Sequence, residues 1–379
     1  MQAYIHPMKA VQDARRVVVK VGTSVLTDDS HALDEKWIRQ LAAEVAALKK
    51  QNRQVILVSS GAIGAGIGVL GWGHRPRQIA RSQAAAAVGQ GRLMQIYSGA
   101  FQKHDLLIAQ ILLTRNDLGH RHRYLRAQAT MSALLDAGVI PIVNENDTVA
   151  VDEIKFGDND ELSALVAHLM DADLLINLSN VDGFERREPG QPRERIAIVD
   201  RITADLERQA GGAGRATSTG GMISKLHAAK LSTESGIPML LADGSRPHVL
   251  RDILLEGHLL GTLFLPRTGK MAARKRWLAF SGRPKGAVEV DAGARRALVS
   301  LGKSLLASGV KQIEGEFLAG DLVAVRETGS SEFARGLIRY GSDDLARIQG
   351  LNSQRIAQVL GSKAKEVIHR DAMVILGSD

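Results

Sequence analysis

The chain of 379 residues contains no cysteine, which excludes a disulfide framework, thiol catalysis and a thiolate metal site. Aromatic residues make up only 4% of the sequence, and the C-terminal part has no evident array of them on which bases could stack. No apolar run approaches the ~20 residues of a membrane-spanning helix, and the N-terminus does not resemble a secretory signal. These absences predict a cytoplasmic protein with no membrane partner.

A Walker-type nucleotide loop is also absent, because the pattern GxxxxGK[ST] does not occur in the sequence. Two lysines nevertheless stand in turns rich in glycine, serine and threonine: Lys20 in VVVKVGTS and Lys225 in TGGMISK. A lysine within an otherwise apolar strand is costly to bury without an anionic partner. The pair predicts that phosphate is bound from two sides, by segments far apart in the chain.

Short apolar runs alternate with amphipathic segments through residues 1–265. This pattern predicts an α/β fold, a mainly parallel sheet sandwiched by helices. The predicted strands cover residues 17–21, 55–58, 106–113, 139–143, 174–178 and 237–241. A helix is predicted over residues 35–50, with Asp34 as its N-cap and a single apolar stripe.

The chain changes character after Pro266, where glycines become closely spaced and short β-like runs replace the longer pattern. We predict a catalytic domain over residues 1–265, a linker over 266–285 and a small β-rich domain over 286–379. Its predicted strands include residues 287–290, 322–325 and 336–340. Residues 267–379 hold 19 Lys+Arg against 12 Asp+Glu, so they carry +7 of the net charge of +8. Such an excess indicates either an anionic partner such as nucleic acid or a solvated basic surface.

Polar segments follow several predicted strands. The glycine-rich turn SSGAIGAG, residues 59–66, can bind an anion at a helix start or simply pack tightly. The acidic segment NEND closes the strand at residue 143, and GDND precedes a helix predicted over residues 162–170. Open α/β sheets bind ligands at the carboxyl ends of their strands. Helix capping at residues 158–160 and an Asx turn at Asp147 are the structural alternatives; the two lysines favour the functional interpretation.

These segments resemble the glutamate 5-kinase family, of the amino acid kinase superfamily, nearly end to end. The motifs that carry the resemblance are VVVKVGTSVLT, SSGAIGAG, LLTRNDL, PIVNENDTVA, KFGDNDELSAL, TGGMISK and GTLFLPRTGKMAARKRW. From about Lys285 onward, GAVEVDAGARRAL, GEFLAGDLVAV and ARGLIRY are similar to a PUA domain. The resemblance implies the amino acid kinase fold and transfer of the γ-phosphoryl group of ATP, with Mg²⁺, to the side-chain carboxylate of L-glutamate. The product, L-glutamyl 5-phosphate, begins proline biosynthesis.

The resemblance also implies a role for each motif residue. Lys20 and Lys225 are expected to flank the transferred phosphoryl group, and Asp160 to fix both lysines by ion pairing. Acceptor glutamate is expected at Ser60, Gly61, Asp147, Asp158 and Asn159. ATP contacts are expected at Lys20, Gly22, Thr23, Ser179, Asn180, Thr219, Gly220, Gly221, Met222, Ile223, Ser224 and Lys225. No protein metal ligand is expected, because Mg²⁺ bridges ATP oxygens and keeps most of its water.

One departure from the family pattern follows the predicted strand over residues 174–178. A Thr-Asp pair before Gly-Leu-Tyr is typical there, whereas this chain has SNVDGF. Ser179 keeps the hydroxyl but Asn180 lacks the charge, which leaves the ribose and adenine contacts and the nucleotide preference open.

Two alternatives to a glutamate kinase remain at this point. One is a sister kinase acting on aspartate, N-acetylglutamate, carbamate or UMP, and the other is an RNA-binding or regulatory protein that acts through the PUA-like domain. The family further implies a homo-oligomer, either a dimer or a tetramer, together with feedback inhibition by proline. It also implies coupling to a glutamyl phosphate reductase.

Overall fold

The computed structural model describes residues 7–27, 32–74, 76–149, 159–186, 194–211, 221–266, 275, 277–282, 284–361 and 364–376. The chain divides into two compact units. The first consists of Met1–Leu118 and His122–Lys270, and the second of Gly119–Arg121 and Met271–Asp379. The division near residue 270 falls within the segment predicted as a linker. Where that segment is described, Trp277–Ser281 forms a π-helical turn.

An eight-stranded sheet forms the centre of the first unit, in the order β3-β4-β2-β1-β5-β9-β10-β8. Its strands are β1 (Arg16–Val21), β2 (Gln54–Val58), β3 (Ile108–Leu113), β4 (Ile140–Glu145), β5 (Leu174–Ser179), β8 (Ile198–Val199), β9 (Met239–Asp243) and β10 (Thr262–Phe264). All neighbouring pairs are parallel except β9 and β10. The mainly parallel sheet predicted from the sequence is therefore confirmed. A separate antiparallel pair is formed by β6 (Phe184–Arg186) and β7 (Glu194–Ile196).

Helices flank this sheet because its central strands are mainly apolar and buried along nearly their whole length, so that both faces must be covered. They are α1 (Pro7–Gln12), α2 (Thr23–Leu26), α3 (Glu35–Lys50), α4 (Ala62–Val69), α5 (Ile79–Gln102), α6 (Arg115–Gly119), α7 (Arg121–Asp136), α8 (Asn159–Leu169), α9 (Ala204–Gly211), α10 (Met222–Glu234) and α11 (Val249–Leu254). The predicted α3 is confirmed, and Asp34 caps it by accepting a hydrogen bond from the Trp37 amide at 2.9 Å.

Several element boundaries differ from the sequence prediction. The acidic segment NEND was predicted to follow its strand, but Asn144 and Glu145 lie inside β4, where they pair with β3. The helix predicted over residues 162–170 begins at Asn159, which places Asp160 in its first turn. The strands predicted from residues 106 and 237 begin at Ile108 and Met239. In each case backbone pairing or a helix start decides the boundary, rather than the end of an apolar run.

The second unit contains a five-stranded sheet in the order β12-β11-β13-β14-β15. Its strands are β11 (Gly286–Val290), β12 (Val310–Glu314), β13 (Leu322–Glu327), β14 (Glu332–Ile338) and β15 (Ile368–Ile375), and its helices are Ala292–Leu301, Ser342–Ile348 and Ser353–Leu360. A strand predicted over residues 336–340 thus starts earlier and ends at Ile338. The unit has an apolar core of its own. Among the described residues of the whole chain, no helix is long and apolar enough to cross a membrane.

Candidate active site

Two buried lysines meet on one buried carboxylate, that of Asp160. The Lys20 Nζ lies 2.5 Å from Asp160 Oδ1, and the Lys225 Nζ lies 3.2 Å from Asp160 Oδ2. Lys20 is 3% exposed, Lys225 is 6% exposed and Asp160 is fully buried. Two ammonium groups and one carboxylate leave a net charge of +1 in a region of low dielectric, where an anion is strongly attracted. We call these three residues the lysine clamp.

The Asp160 carboxylate receives two further hydrogen bonds, so both of its oxygens are occupied. Asn177 Nδ2 donates to Oδ1 at 2.8 Å, and the Ser224 hydroxyl donates to Oδ2 at 2.9 Å. Asn177 lies on β5 directly beside Lys20 of β1. Asp160 itself stands in the first turn of α8, where the helix dipole favours a negative charge. Four donors from β1, β5 and α10 thus fix the carboxylate that orients both lysines.

Glycines bring backbone close to the lysine clamp from two elements. The Gly22 amide donates to Leu178 O at 2.9 Å, and a Cβ on Gly22 would lie only 3.6 Å from the Lys20 Nζ. Gly22 precedes Thr23, the first residue of α2, and Thr23 is exposed. Gly221 is the N-cap of α10, whose first turn offers amide groups to an anion.

The predicted phosphate segment is described only in part. Thr219 and Gly220 lie outside the described residues. Met222 is half-buried and the Ile223 side chain is 44% exposed at the start of α10. Ser224 also donates to Gly221 O at 2.8 Å, which ties the start of α10 to Asp160.

The glycine turn after β2 brings together three of the five predicted acceptor residues, Ser60, Gly61 and Asn159. Gly61 has a φ of 88°, in the left-handed region that favours glycine, and α4 begins at the next residue. Asn159 Nδ2 lies 2.7 Å from Ser59 O and 3.0 Å from Ser60 Oγ. It also lies 3.0 Å from Asn144 Oδ1. The structure therefore joins Ser60 and Asn159 through direct contacts, although 99 residues separate them in the sequence.

Carboxyl groups gather around the end of β4. Asp147 is half-buried on the turn that follows β4, and Asp158 lies outside the described residues. Burial, together with the nearby carboxylates of Asp147 and Glu161, raises the pKa of Glu145 to about 8. Glu161 is paired with Arg115 at 3.0 Å. This acidic group is suited to accept a cationic part of a ligand.

The predicted ribose and adenine contacts lie at the end of β5. Ser179 is buried and pairs with Asp243 of β9, whereas Asn180 is exposed. The Ser179 hydroxyl points to Asn180 Oδ1 at 3.4 Å. These two residues make no described contact with the lysine clamp.

Sequence reasoning missed four polar residues that support the site: Asn177, Asn144, Gln90 and Tyr97. Asn177 had a readable signal, since it is the polar residue in an apolar strand. Asn144 belongs to the segment NEND, where no sequence signal distinguishes it from its polar neighbours. Gln90 and Tyr97 belong to α5, whose alanine-rich pattern gives no indication of which face meets the sheet.

One group of possible metal ligands occurs among the described residues, away from the lysine clamp in the sequence. Asp252, Glu256 and His258 have ligand atoms within 4.8 Å of one another. Glu256 and His258 are exposed, and the Arg251 Nε lies 3.1 Å from Glu256 Oε1, which already neutralises that carboxylate.

Comparisons with known proteins identify the family of the chain. The family model described as the amino acid kinase family matches residues 15–243, and the PUA domain model matches residues 286–360. The glutamate 5-kinase of Pelobacter propionicus is 48% identical over 365 residues, covering 96% of this chain and 98% of that protein. The glutamate 5-kinase of Geobacter sulfurreducens is 49% identical with the same coverage.

Among solved structures, the UMP kinase of Bacillus anthracis matches with a TM-score of 0.48 and 18% identity, covering 67% of this chain and 97% of that chain. The match to the family model and the identity to the two relatives decide the assignment. This chain belongs to the amino acid kinase family, on the branch of the glutamate 5-kinases, and carries a PUA domain in its C-terminal part.

Proposed function

We propose that the chain transfers the γ-phosphoryl group of ATP to the side-chain carboxylate of L-glutamate, giving L-glutamyl 5-phosphate, the first step of proline biosynthesis. The observation that carries the proposal is the lysine clamp. Two relatives that cover nearly the whole chain are named glutamate 5-kinases, and the clamp gives this chain the charge that such a reaction requires.

The chemistry needs charge and alignment rather than a base. A glutamate carboxylate has a reference pKa of about 4.3, so it is already ionised at neutral pH and needs no proton removed. The main obstacle is repulsion between the acceptor carboxylate and the ATP phosphates. Lys20 and Lys225 approach Asp160 from different elements, and each ammonium group pairs with a different oxygen of its carboxylate. Pre-oriented positive charge of this kind stabilises the transferring phosphoryl group.

Magnesium belongs to the nucleotide substrate in this proposal. Both oxygens of Asp160 already accept hydrogen bonds from protein donors, so this carboxylate acts on the lysines. Mg²⁺ bound to ATP oxygens keeps most of its water and needs few protein ligands. The Gly22–Thr23 turn and the amides at the start of α10 are the proposed phosphate contacts, with Ser179 and Asn180 at the nucleoside end. Because the Gly22 amide itself donates to Leu178 O, Gly22 serves by letting the phosphate approach the backbone closely.

The acceptor pocket is proposed to read the free ammonium group of glutamate. Ser60 and the Gly61 turn bind the acceptor, while Asp147, Asp158 and Asn159 hold its ammonium. Asn159 Oδ1 is buried without a hydrogen-bond partner among the described residues, as expected of an acceptor that a ligand completes. N-acetylglutamate has no ammonium and would leave buried acceptors unpaired, a penalty that excludes it.

The experiment that tests the function is ADP release with each acceptor in turn. We expect ADP formation with MgATP and L-glutamate, and at most background with aspartate, N-acetylglutamate, carbamate or UMP. The Lys225→Ala variant is the control for contaminating kinases, because it keeps the acceptor pocket and loses the clamp. Preferred turnover of any of the other acceptors would contradict the proposal.

The partner, the location and the oligomeric state of the enzyme belong to the same proposal. An acyl phosphate is labile in water, which favours direct transfer to a glutamyl phosphate reductase and therefore a cytoplasmic location. We further propose a homo-oligomer, a dimer or a tetramer. Sedimentation at several protein concentrations tests the assembly, and a monomer at every concentration would contradict it.

RNA binding through the PUA domain is the second candidate function, and its proposed site is a cleft of about 290 Å³. Its lining includes Arg339, Arg347 and Lys365. Two of these cations are already neutralised, because Arg339 lies 2.8 Å from Glu366 and Arg347 lies 3.6 Å from Asp344. Retention of RNA that decreases steeply with salt would support RNA binding, and no retention at low salt would leave a structural or regulatory role.

A further inference from the structure

Helix α5 presents two buried polar residues beneath the proposed acceptor pocket. Gln90 and Tyr97 are seven residues apart, which places them on one face of the helix, two turns from each other. Gln90 is 8% exposed and Tyr97 is fully buried. Buried polar side chains on a helix usually have specific partners.

Each of these residues contacts the polar end of a different strand. Asn144 of β4 donates from Nδ2 to Gln90 Oε1 at 2.9 Å. The Tyr97 hydroxyl lies 3.0 Å from Ser59 Oγ, and Ser59 directly follows β2. One helix face therefore supports the carboxyl ends of two neighbouring strands.

Asn159 joins the two supported ends. Its Nδ2 donates to Asn144 Oδ1 on one side and to Ser59 O on the other. The Glu145 amide also donates to Asn144 Oδ1, at 2.9 Å. With its Oδ1 receiving two donors and its Nδ2 held by Gln90, Asn144 has one defined amide orientation. That orientation in turn makes Asn159 direct its NH₂ group toward Asn144, and the Asn159 Oδ1 then has no hydrogen-bond partner among the described residues.

The position of α5 is itself tied to the acceptor turn. A Cβ on Gly89 would lie 1.8 Å from Ala62 O, and a Cβ on Gly66 would lie 1.8 Å from Ala85 O. Helices α4 and α5 thus touch backbone to backbone, and α4 starts directly after Gly61. This contact fixes the position of Gln90, the neighbour of Gly89, relative to the Gly61 turn.

We propose that Gln90 and Tyr97 are positioning residues for the glutamate acceptor, which orient Asn144 and Ser59 and through them the Asn159 amide. The inference rests on the proposed function and extends it to two residues of α5. Neither residue contacts the lysine clamp in the described structure. They act on acceptor binding and leave nucleotide binding unchanged.

The test compares two Gln→Leu substitutions on the same helix. Gln90→Leu removes the acceptor for Asn144, whereas Gln95→Leu makes the same chemical change at an exposed position that contacts Arg92. Loss of one buried hydrogen bond is expected to raise the glutamate KM by about 3- to 10-fold. We expect the ATP KM and kcat to stay within about twofold of wild type, and Gln95→Leu to change none of the three.

Two further variants separate positioning from packing. Gln90→Glu keeps an oxygen for Asn144 Nδ2, so its glutamate KM should lie closer to the wild-type value than that of Gln90→Leu. Tyr97→Phe removes only the hydroxyl and should raise the glutamate KM in the same direction as Gln90→Leu. These two variants keep the test valid if Gln90→Leu does not fold, which thermal unfolding will show.

The outcomes distinguish this inference from the proposed function. Wild-type protein that forms no glutamate-dependent ADP refutes the function and the inference together. An active wild type combined with an unchanged glutamate KM in Gln90→Leu and Tyr97→Phe refutes the inference alone. Equal increases in the ATP and glutamate KM values also refute it, because they indicate a general packing defect.

Discussion

Replacing Asp160 by asparagine tests the lysine clamp most severely, because the side chain keeps its size and loses only its charge. In the wild type the carboxylate pairs with Lys20 at 2.5 Å and with Lys225 at 3.2 Å, and all three side chains are buried. In the variant two buried ammonium groups would remain close together without the Asp160 carboxylate as their shared counter-charge. The unfolded chain, where all of these groups are hydrated, is much less affected.

The expected loss is large for a single substitution. Removing one partner of a buried ion pair typically costs about 3–5 kcal/mol of unfolding free energy, and here one carboxylate serves two lysines. ATP should offset part of this loss, since its phosphates supply the missing negative charge. The difference between Asp160→Asn and wild type should therefore be smaller with saturating MgATP than without nucleotide.

Urea unfolding at pH 7, with and without MgATP, measures both the destabilisation by Asp160→Asn and the part of it that nucleotide offsets. The matched control is Asp205→Asn, which removes a carboxylate that lies 3.1 Å from Arg208 in an exposed ion pair. That substitution should cost no more than about 1 kcal/mol. If Asp160→Asn without nucleotide is destabilised by no more than the control, our account of the clamp is incorrect.

Three other predictions follow from particular residues. Lys20→Ala and Lys225→Ala should each lower kcat by at least about 10²-fold with the fold retained, as judged by circular dichroism; near-normal turnover in either would disprove the clamp. Burial and the nearby carboxylates of Asp147 and Glu161 raise the pKa of Glu145 to about 8, whereas the unfolded chain releases this proton at pH ~4.3. The unfolding free energy should therefore fall as the pH rises from about 4.3 to about 8 and level off above that value. Glu145→Gln should remove this fall, and identical pH profiles of unfolding would contradict the assignment. Gly89→Ala should destabilise the protein by about 1–3 kcal/mol, because the added Cβ would collide with the backbone of α4. Gly91→Ala, with no atom within 4 Å of the added Cβ, should stabilise the protein by about 0.4–1 kcal/mol. Thermal unfolding measures both effects, and equal effects would contradict the close approach of the two helices.

The strands and the clamp could be predicted from the sequence for different reasons. Continuous apolar runs indicate buried parallel strands, and this signal located the central strands correctly. Lys20 within such a run must either reach a strand end or have an anionic partner, and the cost of burying a charge is enough to predict this. The identity of that anion as Asp160, however, came only from the family resemblance, because 140 residues separate the two in the sequence.

The supporting residues depend on register and on helix orientation, which a single sequence does not reveal. Asn177 lies beside Lys20 only because β1 and β5 pair in one particular register. Asn144 was predicted outside its strand because it is polar, yet pairing with Leu112 keeps it inside. Gln90 meets Asn144 only because glycines let α5 approach α4 closely. These are long-range consequences of packing.

The central claim is that the phosphoryl group reaches the side-chain carboxylate of glutamate. Hydroxylamine converts an acyl phosphate to a stable hydroxamate, so trapping during turnover measures the product directly. With wild-type protein, MgATP and L-glutamate, the account predicts glutamate γ-hydroxamate in equal amount to ADP, and neither product in Lys225→Ala. Release of ADP without hydroxamate would contradict the account, because phosphate would then be passing to water or to another acceptor.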